Sequence, residues 1–154
     1  KRDYFTSPKN KNLGDIWYSD INLNEENGKV EVPYKSTLRI ILPVKVEDSF
    51  GGILIINYFM KAKLDELLSS EIFDMILSDS NGYILRHFEA SKNWSFYQDK
   101  KHNIKDEFGL LSNKILSEDL YVSNDFVSKK LSINTNNKYF LIFKKTLVIY
   151  KYLH

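Results

Sequence analysis

Cysteine is absent from the 154-residue sequence, which excludes a disulfide framework and any metal site built on thiolates. No run of about 18 apolar residues occurs, so no segment has the length and apolarity of a membrane-spanning helix. The sequence also shows no signal peptide, and it begins at Lys1 rather than at an initiator methionine. We therefore expect a piece of a longer protein whose membrane anchor lies outside this sequence.

Glycine is also scarce, and the sequence contains none of the common catalytic motifs. The six Gly residues lie mostly at predicted turns, which leaves no glycine-rich loop to bind a phosphate. Neither a Gly-x-Ser-x-Gly elbow nor a His-Glu-x-x-His pair occurs. The three histidines have no partner histidine four residues away. We therefore expect no enzyme activity, no metal ion and no cofactor in this sequence.

Charge is abundant but evenly distributed. The 22 basic and 20 acidic residues give a formal net charge of +2 and are scattered along the sequence. Binding to a phosphate backbone needs a concentrated basic face, so nucleic acid is not an expected partner. Hydrophobic residues make up 43% of the chain and aromatic residues 14%, which is enough for one good core or two small ones.

Apolar runs and turn residues predict strands in the first part of the chain. Residues 16–21 have the composition of a short strand, and Asn27-Gly28 predicts a hairpin turn. Residues 38–44 and 53–60 are apolar runs of strand length on either side of Gly51-Gly52. Together they predict an antiparallel pair around a glycine turn in a covered sheet.

The later part of the chain alternates strands with a helical segment. Residues 72–77 and 83–88 flank the turn Asp79-Ser80-Asn81-Gly82 and predict a hairpin. Residues 120–133 and 138–150 predict a second, longer hairpin that closes the chain. Between the two hairpins, a helix is predicted whose apolar face carries Ile104, Phe108, Leu111 and Ile115.

The order of these elements predicts an α+β fold made of two related modules. In the later part, an antiparallel sheet is expected to carry its helices on one face. The earlier part ends in a short amphipathic helix, predicted over residues 61–70, and lacks the beginning of such a unit. We therefore predict two tandem modules with the first truncated. Residues 1–70 would form the later part of one module and residues 71–154 the other.

Three segments follow one another in a specific order. Arg2-Asp3-Tyr4-Phe5 is an Arg-x-Tyr-aromatic element. A strand that ends in Pro-Val (residues 38–44, LRIILPV) is then followed by a glycine-led strand (residues 51–57, GGILIIN). The third segment is the hairpin of residues 73–87. In this succession, which spans nearly the whole chain, they resemble the double Cache family, the extracytoplasmic sensor regions of bacterial chemoreceptors, histidine kinases and diguanylate cyclases.

The resemblance implies PAS-like antiparallel sheets flanked by helices, with a small-molecule pocket in the membrane-distal module, here residues 1–70. Arg2 and Tyr4 would open the helical side of that pocket. Amino-acid-binding members of the family usually carry an aspartate where this sequence has Asn57. A neutral amide does not pair with an ammonium group as a carboxylate does, so an organic acid without an amine is the expected ligand.

Arg39 and two tyrosines are further candidate ligand-binding residues because of their chemistry. A guanidinium inside an apolar strand is costly unless it is paired, and its planar fork matches a carboxylate. Arg39 therefore anchors an acidic ligand, points to solvent, or pairs internally with Asp20 or Glu31. Tyr18 and Tyr34 each offer a flat apolar face with a hydroxyl at the tip, which suits the wall of a ligand site, although core packing explains either one equally well.

These features favour a ligand-sensing region of a bacterial membrane receptor, located in the periplasm, with a kinase, cyclase or chemoreceptor part elsewhere in the protein. The alternative is a β-rich structural or adhesive domain that binds a protein or glycan on its outer face. A truncated first module would leave an unpaired sheet edge, which favours pairing with a second chain as a homodimer.

Overall fold

The computed structural model describes residues 15–132 and 138–145. The chain divides into two compact units, Lys1–Asp65 and Glu66–His154, slightly before the predicted boundary at residue 70. Strands of the first unit form one sheet and a separate short hairpin, and strands of the second unit form another sheet. No helix within the described ranges is long and apolar enough to cross a membrane. The interpretation of the two units as tandem modules stays a prediction.

The first unit is built on a four-stranded antiparallel sheet whose central strand is β5. Strand β5 pairs with β1, β2 and β6, and the short strands β3 and β4 form a separate hairpin. The backbone φ values of Asn27 (52°) and Gly28 (77°) give the left-handed turn that this hairpin requires. The predicted antiparallel pair and the Asn-Gly hairpin are therefore confirmed. The prediction that this pair lies in a covered sheet is wrong for strand β6, most of whose side chains are exposed. The strands are β1 (Trp17–Tyr18), β2 (Asn22–Leu23), β3 (Glu25–Glu26), β4 (Lys29–Val30), β5 (Ser36–Val46) and β6 (Ser49–Phe59).

The turn between β5 and β6 lies elsewhere than the sequence predicted. Glu47 and Asp48 form it, with φ values of 49° and 60°, whereas Gly51 and Gly52 lie inside β6. A Cβ atom on Gly51 would lie 2.6 Å from Cγ2 of Val46, so glycine is needed there for close packing between the strands. The prediction of a glycine turn was wrong because glycine also marks close approach of chain segments and strand irregularities.

The second unit contains a five-stranded antiparallel sheet in the order β8-β7-β11-β10-β9. The predicted first hairpin is confirmed, since Asp79 Oδ1 accepts hydrogen bonds from the backbone N–H groups of Asn81 (2.9 Å) and Tyr83 (2.8 Å) in its turn. The strands are β7 (Phe73–Asp79), β8 (Ile84–Arg86), β9 (Leu120–Val122), β10 (Phe126–Ser132) and β11 (Lys138–Lys145).

The described residues contain the α-helices α1 (Lys61–Leu67), α2 (Ile104–Phe108) and α3 (Leu111–Ser117). The sequence predicted one helical face over residues 104–115, but the helix breaks at Gly109, whose φ is 52°. A capping box at Asn103 starts α2. Ile104 and Ile115 are fully buried, whereas the break turns Leu111 outward. Glycine at a helix C-terminus adopts this kind of conformation without strain, so the helix ends there.

The predicted strand over residues 120–133 also divides in two. Ser123 forms a turn between β9 and β10, and its Oγ accepts a hydrogen bond from the backbone N–H of Phe126 at 3.1 Å. A serine side chain that bonds to a nearby backbone N–H competes with the sheet ladder, which explains the break. The predicted loop of residues 134–137 and the end of the last predicted strand, residues 146–150, lie outside the described residues.

The core of the second unit joins its helices to one face of the sheet. Buried side chains from β7, β8, β10 and β11 pack there against one side chain from α2 and one from α3. A sheet with helices packed on one face is the predicted α+β arrangement, and this part of the fold class is confirmed. The cluster consists of Ile76, Ile84, Ile104, Ile115, Phe126, Phe140 and Ile142.

Strand β6 is predicted to exchange its amide hydrogens faster than the first hairpin of the second unit. Among the described residues, β6 pairs with β5 alone and most of its side chains are exposed, whereas β7 lies between β8 and β11. Amides near an open sheet edge with few buried side chains open more readily. Hydrogen exchange on the monomer should therefore show lower protection for residues 30–60 than for residues 72–88, and the reverse order would contradict this expectation.

Candidate functional site

Arg39 lies in the middle of β5 and is only 4% exposed. Its Nη1 donates a hydrogen bond to Asn22 Oδ1 at 2.7 Å, and its Nη2 donates one to Asn24 Oδ1 at 2.9 Å. Its backbone N–H donates to Ser19 Oγ at 2.9 Å. The alternative in which Arg39 points to solvent is therefore wrong. Two neutral amides hold the guanidinium by its two terminal nitrogens and fix the plane of the fork.

Asn24 links the guanidinium of Arg39 to a second pair of charged side chains. Asn24 Nδ2 donates a hydrogen bond to Glu31 Oε2 at 2.9 Å, and Glu31 also pairs with Lys35. Hydrogen bonds from Asn24 and Lys35 hold the pKa of Glu31 below its ordinary value, against a smaller effect of burial. Asn24 thus connects Arg39 to an ionised carboxylate that has a lysine partner of its own. The carboxylate orients the amide, and the amide orients the guanidinium.

Asn57 lies beside Arg39 on the neighbouring strand. The two residues are register partners in the antiparallel pair of β5 and β6. Directly opposed residues in such a pair have Cα atoms about 4.5–5.5 Å apart and project to the same face of the sheet. Asn57 is exposed, and its amide carries both hydrogen-bond donors and an acceptor. Arg39 and Asn57 therefore form one polar pair on one sheet face.

The structure does not bring the other candidate residues into this pair. Tyr18 is the register partner of Ile40, so it projects to the face opposite that of Arg39. Tyr34 lies in the loop between β4 and β5 and is 53% exposed. Tyr18 therefore does not lie beside Arg39, and ligand-binding roles for Tyr18 and Tyr34 stay predictions. Arg2 and Tyr4 lie outside the described residues.

A family comparison decides what kind of domain carries this site. The model of a family described as "Bacterial histidine kinase, sensor domain" matches residues 1–122. The chain belongs to this family. Sensing rather than catalysis is the role of such a domain. Within the described ranges, no three His, Asp or Glu side chains gather in a way that could hold a metal ion.

Solved structures show the same fold. The extracellular domain of the putative histidine kinase vpHK1S-Z8 has a TM-score of 0.78 at 20% identity and matches 94% of this chain and 55% of its own. A domain of a putative sensory box/GGDEF protein from Vibrio parahaemolyticus has a TM-score of 0.81 at 19% identity, with coverages of 95% and 58%. The ligand-binding domain of the Pseudomonas fluorescens chemoreceptor CtaA, in complex with L-serine, has a TM-score of 0.58 at 12% identity, with coverages of 94% and 60%.

These identities support the fold alone, and the chain spans little more than half the length of the solved domains that it resembles. No curated protein of similar sequence matches the chain. The sensor fold is therefore shared with extracellular and ligand-binding domains of bacterial receptors, as the resemblance in the sequence implied.

Three residues near Arg39 were not predicted from the sequence of this sensor domain. Asn22 and Asn24, which hold the guanidinium, were interpreted as part of a turn-rich segment. Trp17 is the register partner of Ile41 and therefore lies on the same sheet face as Arg39. The alternating pattern Asn22-x-Asn24 was the available indication, because residues two apart in an extended chain project to one side.

Proposed function

We propose that this chain is the extracytoplasmic ligand-sensing region of a bacterial transmembrane receptor and that its first unit binds a small organic acid at Arg39 and Asn57. One observation carries the proposal: a buried guanidinium, held by the neutral amides of Asn22 and Asn24, lies beside an exposed amide on the same sheet face. Membership of the sensor-domain family favours this function over a structural or adhesive one.

A carboxylate is the ligand group that fits a guanidinium held in a fixed plane. Hydrogen bonds between ionised partners are roughly twice as strong as those between neutral ones, and a carboxylate accepts two parallel bonds from arginine. Orientation of the fork by Asn22 and Asn24 reduces the entropy that ligand binding would otherwise cost. The amide of Asn57 would then donate or accept a further hydrogen bond to a polar group of the ligand.

The ligand is proposed to lack an amine. The related fold of CtaA was solved with L-serine, which carries an ammonium group as well as a carboxylate. Recognition of an ammonium group depends on a negatively charged or strongly accepting partner, and the residue beside Arg39 is the neutral Asn57. The nearby carboxylate of Glu31 already accepts from Asn24 and pairs with Lys35.

Signalling requires that the ligand bind two states of the receptor with different affinity. A ligand with equal affinity for both states shifts no equilibrium, however tightly it binds. In the proposed receptor, the ligand would favour one arrangement of the first unit, and the parts of the protein beyond this chain would transmit the change across the membrane. The proposed periplasmic location is supported by the extracellular domain of vpHK1S-Z8, which has the same fold.

Calorimetric titration of the chain with two matched series of compounds tests this proposal. The first series is acetate, propionate, succinate and malate, and the second is glycine, alanine, serine and leucine. We expect at least one organic acid to bind, and each amino acid to bind more weakly than the acid of similar size. Binding of the amino acids alone would contradict the proposed ligand class. The absence of binding in both series would contradict the site itself.

A further inference from the structure

His87 lies directly after β8 in the second unit, and its side chain is fully buried. Its Nε2 is 2.7 Å from Glu107 Oε1 on α2. Its Nδ1 accepts a hydrogen bond from the backbone N–H of Glu89 at 2.8 Å. A nitrogen that accepts a hydrogen bond carries no proton, so the hydrogen-bond network assigns the ring proton to Nε2, which donates it to Glu107. The imidazole is therefore neutral in this arrangement.

Charged groups of both signs surround the imidazole. Lys92 Nζ donates hydrogen bonds to Glu107 Oε1 at 2.9 Å and to Glu89 Oε1 at 3.0 Å. The ring of Phe88 stacks on the imidazole with centroids 4.1 Å apart, and Nζ of Lys144 on β11 lies 5.9 Å from the centre of the Phe88 ring. The carboxylates of Glu107 and Glu89 and the ammonium group of Lys92 thus act on this histidine, and the ammonium group of Lys144 lies beyond the Phe88 ring.

His87 forms hydrogen bonds to the connector of residues 88–93, which leads from β8 towards α2. Its ring accepts from the backbone of Glu89, and its own backbone N–H donates to Asn93 Oδ1 at 2.7 Å. The side chain of Lys92 adds a second contact, because it forms ion pairs both with Glu89 in the connector and with Glu107 on α2. Residues 88–93 are held to the rest of the unit by the His87 ring, by Lys92, and by Gln98, whose Nε2 donates to the backbone oxygens of Ser91 (2.9 Å) and Asn93 (2.6 Å). Of these contacts, the one from the backbone N–H of Glu89 to the His87 ring depends directly on the protonation of histidine.

We propose that His87 is an acid-sensitive latch, so that its protonation releases residues 88–93 and the second unit responds to acid independently of the ligand site. A proton on Nδ1 would point at the N–H group of Glu89, which would replace a hydrogen bond by two opposed donors. The protonated ring would also place a cation in a fully buried position near the ammonium group of Lys92. Glu107 stabilises the cation in part, because it already contacts Nε2.

The direction of the pH effect follows from the burial of the ring. Burial lowers the pKa of His87 below its ordinary value, although Glu107 acts in the opposite direction. The unfolded chain therefore takes up the proton first, at about pH 6.5, as the pH falls. The stability that depends on the neutral ring is present above about pH 6.5 and is lost as the pH falls from there towards the pKa of the folded state.

The carboxylate of Glu107, which contacts the ring, remains ionised above about pH 5. Burial raises the pKa of Glu107, but hydrogen bonds from Lys92 and His87 outweigh that effect and keep the pKa below its ordinary value. Glu107 is therefore still ionised in the range where the histidine of the unfolded chain titrates. A change in the stability of the second unit between about pH 7.5 and pH 5 reports on histidine rather than on this carboxylate.

NMR spectroscopy of the unaltered chain tests the latch. At about pH 7.5, the nitrogen shifts of His87 should show a neutral ring with its proton on Nε2. Between about pH 6.5 and pH 5, the protection factor of the Glu89 amide should fall by up to about tenfold for each pH unit. A doubly protonated ring at pH 7.5, or unchanged protection of Glu89 down to pH 5, would overturn the proposal.

A pair of histidine variants separates a titrating role from a purely structural one. His87→Gln removes the titrating ring, and His102→Gln makes the same change at a partly exposed histidine of the same unit. We expect the protection of residues 88–93 in His87→Gln to be independent of pH between about pH 6.5 and pH 5, whereas His102→Gln retains the fall. If His87→Gln retains the full fall, the proposal is wrong. If that variant does not fold, the titration of the unaltered chain decides.

Discussion

Replacement of Arg39 by alanine is expected to weaken binding of the organic acid by at least about tenfold. A hydrogen bond to a charged group contributes roughly 1.5–3 kcal/mol, and the substitution removes the guanidinium that would make such bonds to the ligand. Calorimetric titration of the variant with the tightest-binding acid of the panel measures the effect.

Two further variants control this experiment. Arg86→Ala removes an arginine from β8 of the second unit and should change the affinity little. Arg39→Lys keeps the positive charge but loses the planar fork, and it should also bind more weakly than the unaltered chain. Circular dichroism shows whether each variant is folded, because Arg39 is buried and its hydrogen bonds hold Asn22 and Asn24. An affinity that is unchanged in Arg39→Ala would exclude Arg39 from the site.

Ile142→Ala is expected to reduce the free energy of unfolding of the second unit by about 2–5 kcal/mol, as truncation of a buried isoleucine does. Ile142 is fully buried in the core cluster and lies on β11, where it pairs with Ile76 and Ser128 on the two flanking strands. The cavity left behind would border these strands, which have little freedom to collapse onto it. Urea denaturation followed through the buried Trp94, in a Trp17→Phe background, measures this unit.

A matched control makes the same chemical change on the surface of the same unit. Ile72 lies just before β7 and is 64% exposed, so Ile72→Ala should change the free energy of unfolding by no more than about 0.5 kcal/mol. Similar losses in the two variants would contradict the assignment of Ile142 to the core.

Local patterns predicted the paired strands well, because turn chemistry and apolar periodicity are encoded in neighbouring residues. Asn27-Gly28 and the Asp79 turn fix two hairpins through positive φ values and side-chain hydrogen bonds. The incorrect predictions of turns and helix ends concern glycine, which has more than one structural role. Gly51 allows close packing within a strand, whereas Gly109 ends a helix, and periodicity alone does not separate these roles.

The candidate site was predictable only in part. Arg39 was identified because a guanidinium in an apolar strand demands a partner, and Asn57 because of its place in the family pattern. Asn22 and Asn24 were missed, since they lie on or just after a strand of two residues that follows no clear periodicity. That Tyr18 lies on the face opposite Arg39 could not be predicted, because this depends on the pairing register of β1 with β5, which the sequence does not state.

A crystal structure of the chain with the tightest-binding organic acid of the panel tests the central claim most directly. The account predicts density for the acid with its carboxylate oxygens about 2.7–2.9 Å from the guanidinium nitrogens of Arg39 and with a polar group against the amide of Asn57. The account would be contradicted by density for the acid at another place while Arg39 remains bonded to Asn22 and Asn24 with no ligand beside it.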